Sequence, residues 1–156
     1  MKPYRKNVGV VVFNSRGQVL AGERLNPAGS LQLPQGGLDK GEEPLTGALR
    51  ELYEETGLRP PGDPVAELAE WLRYDFPPGV SKRLQKYQGQ EQKWFFFFWD
   101  GDPDRLSLDH HSQEFSRLIW TEFPELVAGI VEFKRAVYEE LYRQGRSIIA
   151  EYNKQR

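Results

Sequence analysis

The chain has 156 residues, 38% of them hydrophobic and 28% charged, with a formal net charge of −2 and no cysteine. That length suits one domain with a buried core, and the composition is ordinary for a soluble globular protein. The lack of cysteine excludes disulfides and thiolate zinc sites. No apolar run reaches about eighteen residues, which excludes a transmembrane helix, and the slight negative charge argues against binding along a nucleic-acid backbone.

The N-terminal stretch MKPYRKNVGVVVF passes from basic residues directly into a β-branched run. It has neither an apolar signal core nor a small-residue cleavage site, so a cytoplasmic location is expected. Residues 7–14 (NVGVVVFN) read as a strand, Ser15-Arg16-Gly17-Gln18 as a hairpin turn, and 19–23 as the returning strand. From Pro44 to Thr56 the apolar residues Leu45, Ala48, Leu49 and Leu52 recur at helical intervals. Gly57 stands where a helix C-terminal glycine belongs, and Pro60-Pro61-Gly62 ends the element. Loose alternation from Val65 to Phe76 predicts one long strand, stopped by Pro77-Pro78-Gly79. A basic loop, SKRLQKYQGQ, leads into QKWFFFFW (92–99), whose aromatics predict a central strand. A further strand is predicted over 118–121. Phe133, Val137, Leu141 and Ile148 predict a C-terminal helix from Val131 to about Tyr152. No repeat or linker divides the chain. A single mixed α/β domain over residues 1–156 is expected, with helices packed on a sheet.

The segment GGLDKGEEPLTGALRELYEETGL (36–58) places five glutamates within fourteen residues. On a helix Glu51, Glu54 and Glu55 share one face, opposite the Leu45/Ala48/Leu52 stripe. Like charges at this spacing repel by roughly 0.2–0.5 kcal/mol per pair in water. A hard divalent cation such as Mg²⁺ offsets that cost, because it takes oxygen ligands. Arg50 can brace a carboxylate with its planar fork, Glu42 lies about two turns back, and Gln35-Gly36-Gly37 offers backbone that a ligand can approach closely. A solvated acidic helix face is the competing reading of the three glutamates alone. The spacing of the whole segment decides against it. The pattern G-x5-E-x7-R-E-U-x-E-E-x-G-U, with U a bulky aliphatic, is met at Gly36, Glu42, Arg50, Glu51, Leu52, Glu54, Glu55, Gly57 and Leu58. Its seven fixed identities, each at a frequency of roughly one in fifteen, coincide by chance on the order of once in 10⁸ start positions.

This pattern is the Nudix box, and the chain resembles the Nudix hydrolases throughout its length. The resemblance implies an α/β/α sandwich with a mixed β-sheet and a hydrolase that cleaves nucleoside diphosphate linkages with Mg²⁺ or Mn²⁺, two or more ions. By the same resemblance Glu51, Glu54, Glu55 and Glu114 are metal ligands, with backbone oxygen near Gln35 or Gly36. Glu42 and Arg50 support them, and either Glu54 or Glu114 is the general base. Flanking segments (YRKNVGVVVFN, LPQGG, WLRYDFP, GQEQKWFFF, QEF at 113–115 and EFKRAVYEEL at 132–141) resemble the branch of RNA pyrophosphohydrolases and dinucleoside polyphosphate hydrolases. The implied substrate is therefore a triphosphorylated RNA 5′ end. Diadenosine tetraphosphate is the alternative, and a non-catalytic nucleotide sensor a more distant one. No membrane or DNA partner is expected.

Arg5 and Arg24 are candidate contacts for terminal phosphates, since guanidinium suits phosphate oxygens. Ser30 and Lys93 are further candidates. Phe133 and Lys134 match the branch's base-stacking aromatic and adjacent lysine, although Phe133 also fits a core position of the last helix. The FFFFW run reads as core, and Trp71 and Tyr74 stay open between core and cleft. His110 and His111 read as a solvated pair beside a turn. The basic residues Lys82, Arg83 and Lys86 are either a solvated run or an attraction for polyphosphate. The branch pattern departs at Leu25–Ser30, which is slightly longer here, and at Leu31, where an aromatic is usual.

Overall fold

The valine-rich N-terminal run becomes strand β1 (Tyr4–Phe13), the middle of one mixed sheet. The computed structural model describes residues 1–25 and 29–156; the middle of the Leu25–Ser30 departure lies outside the described residues. Alternate β1 side chains point to opposite faces. Val8, Val10 and Val12 enter one core, Val11 and Phe13 the other. Strand β7 (Gly89–Phe98) runs parallel to β1 along its whole length, from Tyr4 opposite Gly89 to Phe13 opposite Phe98. The aromatic run divides the same way: Phe95 and Phe97 join the Val8 core, Trp94 and Phe96 the Val11 core. A central strand covered on both faces has no solvent side, which is why its sequence is apolar without alternation.

Strand β2 (Val19–Arg24) pairs antiparallel with β1, with β3 (Leu31–Gln32) and with β8 (Phe115–Thr121). Strand β4 (Gln35–Gly37) pairs with β1 at Asn7–Gly9, while β5 (Ala66–Glu67) and β6 (Leu72–Asp75) pair with β7. Helix α1 (Pro44–Thr56) covers the Val8 face with Ala48 and Leu52. Helices α2 (Phe123–Gly129) and α3 (Arg135–Gln155) cover the other with Phe123, Leu126, Val137, Tyr138, Leu141 and Ile149. The expected α/β/α sandwich with a mixed sheet is the fold observed. No helix among the described residues is long and apolar enough to cross a membrane.

Four local expectations need correction. The long strand over 65–76 is two short ones. Glu67 faces Phe95 and Leu72 faces Gln92, so five steps along this segment cross three along β7, and after Leu68, still bonded to Trp94 O, residues 69–71 loop out of register. The Lys93 ammonium donates to the Leu68 and Ala69 carbonyls that this bend exposes, at 2.5 and 3.2 Å. The C-terminal helix begins at Arg135; Phe133 and Lys134 belong to a 3₁₀ turn (Glu132–Lys134) before it. Helix α2 had no counterpart in the periodicity because it is only seven residues long, although Pro124 in its first turn is a start signal. Finally, the buried face of α1 is centred on Ala48, Leu52 and Glu55. Leu45 and Leu49 stay exposed, so the glutamates do not all oppose the apolar face: Glu55 is part of the buried one.

Candidate active site

The site starts with a loop, a helix and one arginine. Pro44 opens α1, and Gly57 closes it in the left-handed conformation (φ 78°), donating its N–H to Tyr53 O at 2.8 Å. Helix α1 packs so close to β4 that a Cβ at position 36 would land on the Glu51 carboxyl group. Glycine there leaves the Glu51 carboxylate free to sit against the β4 backbone. Arg50 then uses its whole fork. Nε donates to Glu42 Oε2 (2.8 Å) and Nη2 to Glu42 Oε1 and to Gly37 O (both 2.9 Å). Nη1 donates to Glu51 Oε1 (2.8 Å) and Glu54 Oε2 (3.2 Å). Bidentate pairing of this kind fixes side-chain rotamers as well as neutralising charge. Hydrogen bonding from Arg50 holds the Glu42 carboxyl below the usual range.

The glutamates nearer the sheet behave oppositely. Burial pushes the Glu51 carboxyl up, opposed by its hydrogen bond from Arg50 and reinforced by the Glu54 charge. Burial, then the charges of Glu51 and Glu114, push Glu55 well above the ordinary value, while the Gln35 N–H donates to it at 2.8 Å. Glu114 sits in the loop before β8, where its backbone O accepts from Leu25 N at 3.1 Å and its side chain lines the same cleft.

That cleft has a volume of about 380 Å³ and is bordered by Arg5, Arg24, Gly36, Phe133 and Lys134 together with Glu51, Glu54, Glu55 and Glu114. The parallel register of β1 and β7 builds its floor. Arg5 faces Gln90 and Asn7 faces Gln92. Arg5 Nη1 donates to Gln90 Oε1 at 2.7 Å, Gln90 in turn donates to the Tyr74 hydroxyl, and Gln92 donates to Asn7 and Gln35, both at 2.9 Å. Buried polar groups satisfied in this way hold the cleft side chains in fixed rotamers. Lys134 is buried, donates to Gln32 Oε1 at 3.0 Å, and is lowered to about 8, chiefly by burial and then by the Arg24 charge. Phe133 lies against Tyr74 (ring centroids 5.6 Å apart), and Tyr74 against Phe76 (6.0 Å), forming an aromatic wall.

The remaining expected residues lie elsewhere. Lys93 is held by the 68–69 carbonyls and by Glu67 at 3.3 Å, outside the cleft. Ser30 is placed by its backbone, its carbonyl accepting from Arg24 N at 2.7 Å, and its side chain does not line the cleft. Several cleft residues carried no sequence signal of their own: Asn7, Gln32, Gln90, Phe76 and Val80. His111, read from sequence as solvated, borders the cleft with Nε2 3.9 Å from Glu54 Oε1, and His110 stacks on Tyr53 with centroids 4.4 Å apart.

Among the described residues no three carboxylates share one point at metal-ligand spacing, since Arg50 Nη1 lies between Glu51 and Glu54. The donor chemistry still fits a hard cation. Anionic oxygens crowd one wall against the Cβ-free Gly36, where burial first and their mutual repulsion second raise Glu51 and Glu55.

The sequence pattern of the family described as NUDIX domain matches residues 3–141. An RNA pyrophosphohydrolase of Cereibacter sphaeroides is 44% identical over 154 residues, covering 95% of this chain and 94% of that protein. One from Brucella anthropi is 43% identical over 162 residues, covering 95% and 92%. Among solved structures, the MutT protein of Methanosarcina mazei Go1 superposes with a TM-score of 0.67 at 21% identity, covering 92% of this chain and 96% of that one. The E. coli dihydroneopterin triphosphate pyrophosphohydrolase gives 0.64 at 17% identity, covering 89% and 97%.

Proposed function

The chain belongs to the NUDIX domain family, and from that premise we propose that it is a pyrophosphohydrolase acting on triphosphorylated RNA 5′ ends, leaving a 5′-monophosphate and releasing pyrophosphate. The observation that carries this reading is one cleft joining the crowded α1 carboxylates to a cationic set (Arg5, Arg24, Lys134) and an aromatic wall (Phe133, Tyr74, Phe76). Its chemistry suits anhydride cleavage on one nucleotide end, and near-full-length relatives named RNA pyrophosphohydrolase point the same way.

Members of this family use divalent metal ions. Glu51, Glu54, Glu55 and Glu114 would hold Mg²⁺ or Mn²⁺ here, while Arg50 braces them through Glu42 and the Gly37 carbonyl. When bound, such ions supply positive charge that neutralises phosphate oxygens and eases deprotonation of water. Arg5 and Arg24 bind the outer phosphates, and Lys134 adds charge from beneath. Phe133, backed by the buried Tyr74, holds a base by its face, a contact of about 1–3 kcal/mol that tolerates any base. Glu54 or Glu114 accepts the proton as water adds to phosphorus and the P–O–P bond breaks toward pyrophosphate. A cytoplasmic site of action fits a substrate of this kind.

The test is kcat/KM with Mg²⁺ on a short 5′-triphosphate RNA and on diadenosine tetraphosphate, with products identified. Preference for RNA with 5′-monophosphate ends is expected; preference for the dinucleotide, giving ATP and AMP, overturns the RNA assignment. Replacing Glu54 with Gln should leave the fold intact and lower turnover by orders of magnitude, and near-normal turnover in that variant contradicts the site.

A further inference from the structure

The loop between β6 and β7 is basic, and of its cations only Arg83 borders the cleft. Residues 76–90 contain Lys82, Arg83 and Lys86 and no aspartate or glutamate. Among the described residues none of these three has a carboxylate within 4.0 Å. An unneutralised run persists at little cost on a solvated surface, so the run alone says nothing about a ligand. Its position does. Arg83, Val80 and Leu84 border the catalytic cleft. Phe76 and Val80 also border a second cavity of about 360 Å³, whose other walls include Lys2, Tyr87 and Gln88. The two cavities thus share one wall, the segment between Phe76 and Val80.

This second cavity combines the two features that single-stranded nucleic acid requires, an aromatic face and cations beside it. Lys86 Nζ lies 5.3 Å from the Tyr87 ring centroid, and Lys2 is on the same rim. The loop is also held in place rather than hanging free. Phe76 N donates to Gln88 O at 3.0 Å, Gln88 N to Pro3 O at 2.8 Å, and Tyr87 N to Leu84 O at 3.0 Å.

We propose that the cavity beside Tyr87 is a subsite for the RNA strand beyond the nucleotides gripped in the catalytic cleft, with Tyr87 stacking a downstream base and Lys2, Lys82 and Lys86 meeting downstream phosphates. The inference rests on the RNA reading of the cleft. It explains how a chain of net charge −2 engages a polyanion: a loop with three cations and no carboxylate lies beside the cleft.

The experiment compares kcat/KM on 5′-triphosphate RNAs of two and eight nucleotides, at several salt concentrations, for the wild type, K82Q/K86Q, Y87A and Y87F. Wild type should prefer the longer RNA. K82Q/K86Q should match wild type on the two-mer and lose about fivefold or more on the eight-mer. Its log–log salt slope on the eight-mer should be shallower by about 1.4, for two phosphate contacts on a single strand. Y87A should lose about fivefold on the eight-mer alone, and Y87F, which keeps the ring, should not. Equal losses on both lengths, or no loss on the longer, overturn the subsite. Should Y87A prove misfolded by circular dichroism, the exposed lysine pair carries the test. Wild type cleaving RNA without any length preference overturns the subsite and leaves the cleft assignment standing, whereas failure to cleave either RNA overturns both.

Discussion

Replacing Arg50 with lysine keeps the positive charge and removes the fork, which isolates what the geometry contributes. Arg50 makes five hydrogen bonds, to Glu42 (two), Glu51, Glu54 and the Gly37 carbonyl. A lysine ammonium has three donors around one atom and cannot span acceptors on both sides of a planar group. At least two bonds to charged or carbonyl oxygens are therefore lost, at about 1.5–3 kcal/mol each when well shielded. The Arg50 side chain is 27% exposed, so screening discounts the total to about 2–4 kcal/mol. For a chain of this size that lowers Tm by roughly 5–15 °C. Glu51 and Glu54 would also be less well oriented, so kcat/KM should fall by about ten- to a hundredfold and half-maximal activity should need more Mg²⁺. Thermal melts in chelator and a Mg²⁺ titration of kcat/KM read the two effects separately. A variant melting within about 1 °C of wild type, with unchanged Mg²⁺ dependence, would refute the bracing argument.

Glu55→Gln should stabilise the chelator-treated protein by about 1 kcal/mol while removing most activity, since it keeps the oxygen facing Gln35 N–H and discards a buried, repelled charge. Because the folded carboxyl lies well above its ordinary value of 4.5, the wild type's handicap is full only above the raised folded value, and the stabilisation should shrink as pH falls through that value and be gone by about 4.5; a lower Tm at neutral pH contradicts the reasoning. Lys134 has the opposite titration. Its folded value of about 8 lies below the ordinary 10.5, so the cost of its buried charge is full below pH 8 and is relieved as pH rises towards 10.5. Wild type should gain roughly 3 kcal/mol over that window relative to Lys134→Met, measured as the difference between denaturant melts, and parallel curves would show that the ammonium carries no burial penalty. Phe133→Ala should raise KM for RNA about tenfold with kcat little changed, whereas a fall in kcat alone would mean that the ring does not hold the substrate's base.

How far the chain could be read from its sequence follows from the range of each interaction. The Nudix box was legible because its chemistry is local: Glu42, Arg50, Glu51, Glu54 and Glu55 lie on one helix and the loop before it, where fixed spacing implies fixed geometry. The central strands were legible because burial on both faces leaves an unbroken apolar run. Where two segments had to be compared, sequence patterns failed. The long strand over 65–76 breaks because its register against β7 slips, which neither strand records alone, and Lys93 is drawn to that break instead of to the cleft. The apolar face of α1 was misplaced for a related reason: hydrophobicity cannot reveal that a carboxylate, Glu55, takes a buried position to meet a backbone N–H of β4.

The sequence by itself determined the family, the carboxylate helix and its braces, and the layered α/β class, because helix periodicity and strand burial are written within single elements. The tertiary structure alone decided which distant residues share the cleft. Parallel pairing of β1 with β7 sets Arg5 beside Gln90, the 3₁₀ turn before α3 carries Phe133 to Tyr74, and the loop before β8 swings Glu114 and His111 to the glutamates of α1. Each of these contacts joins segments tens of residues apart, and only the packing of the sheet between its helices brings them together.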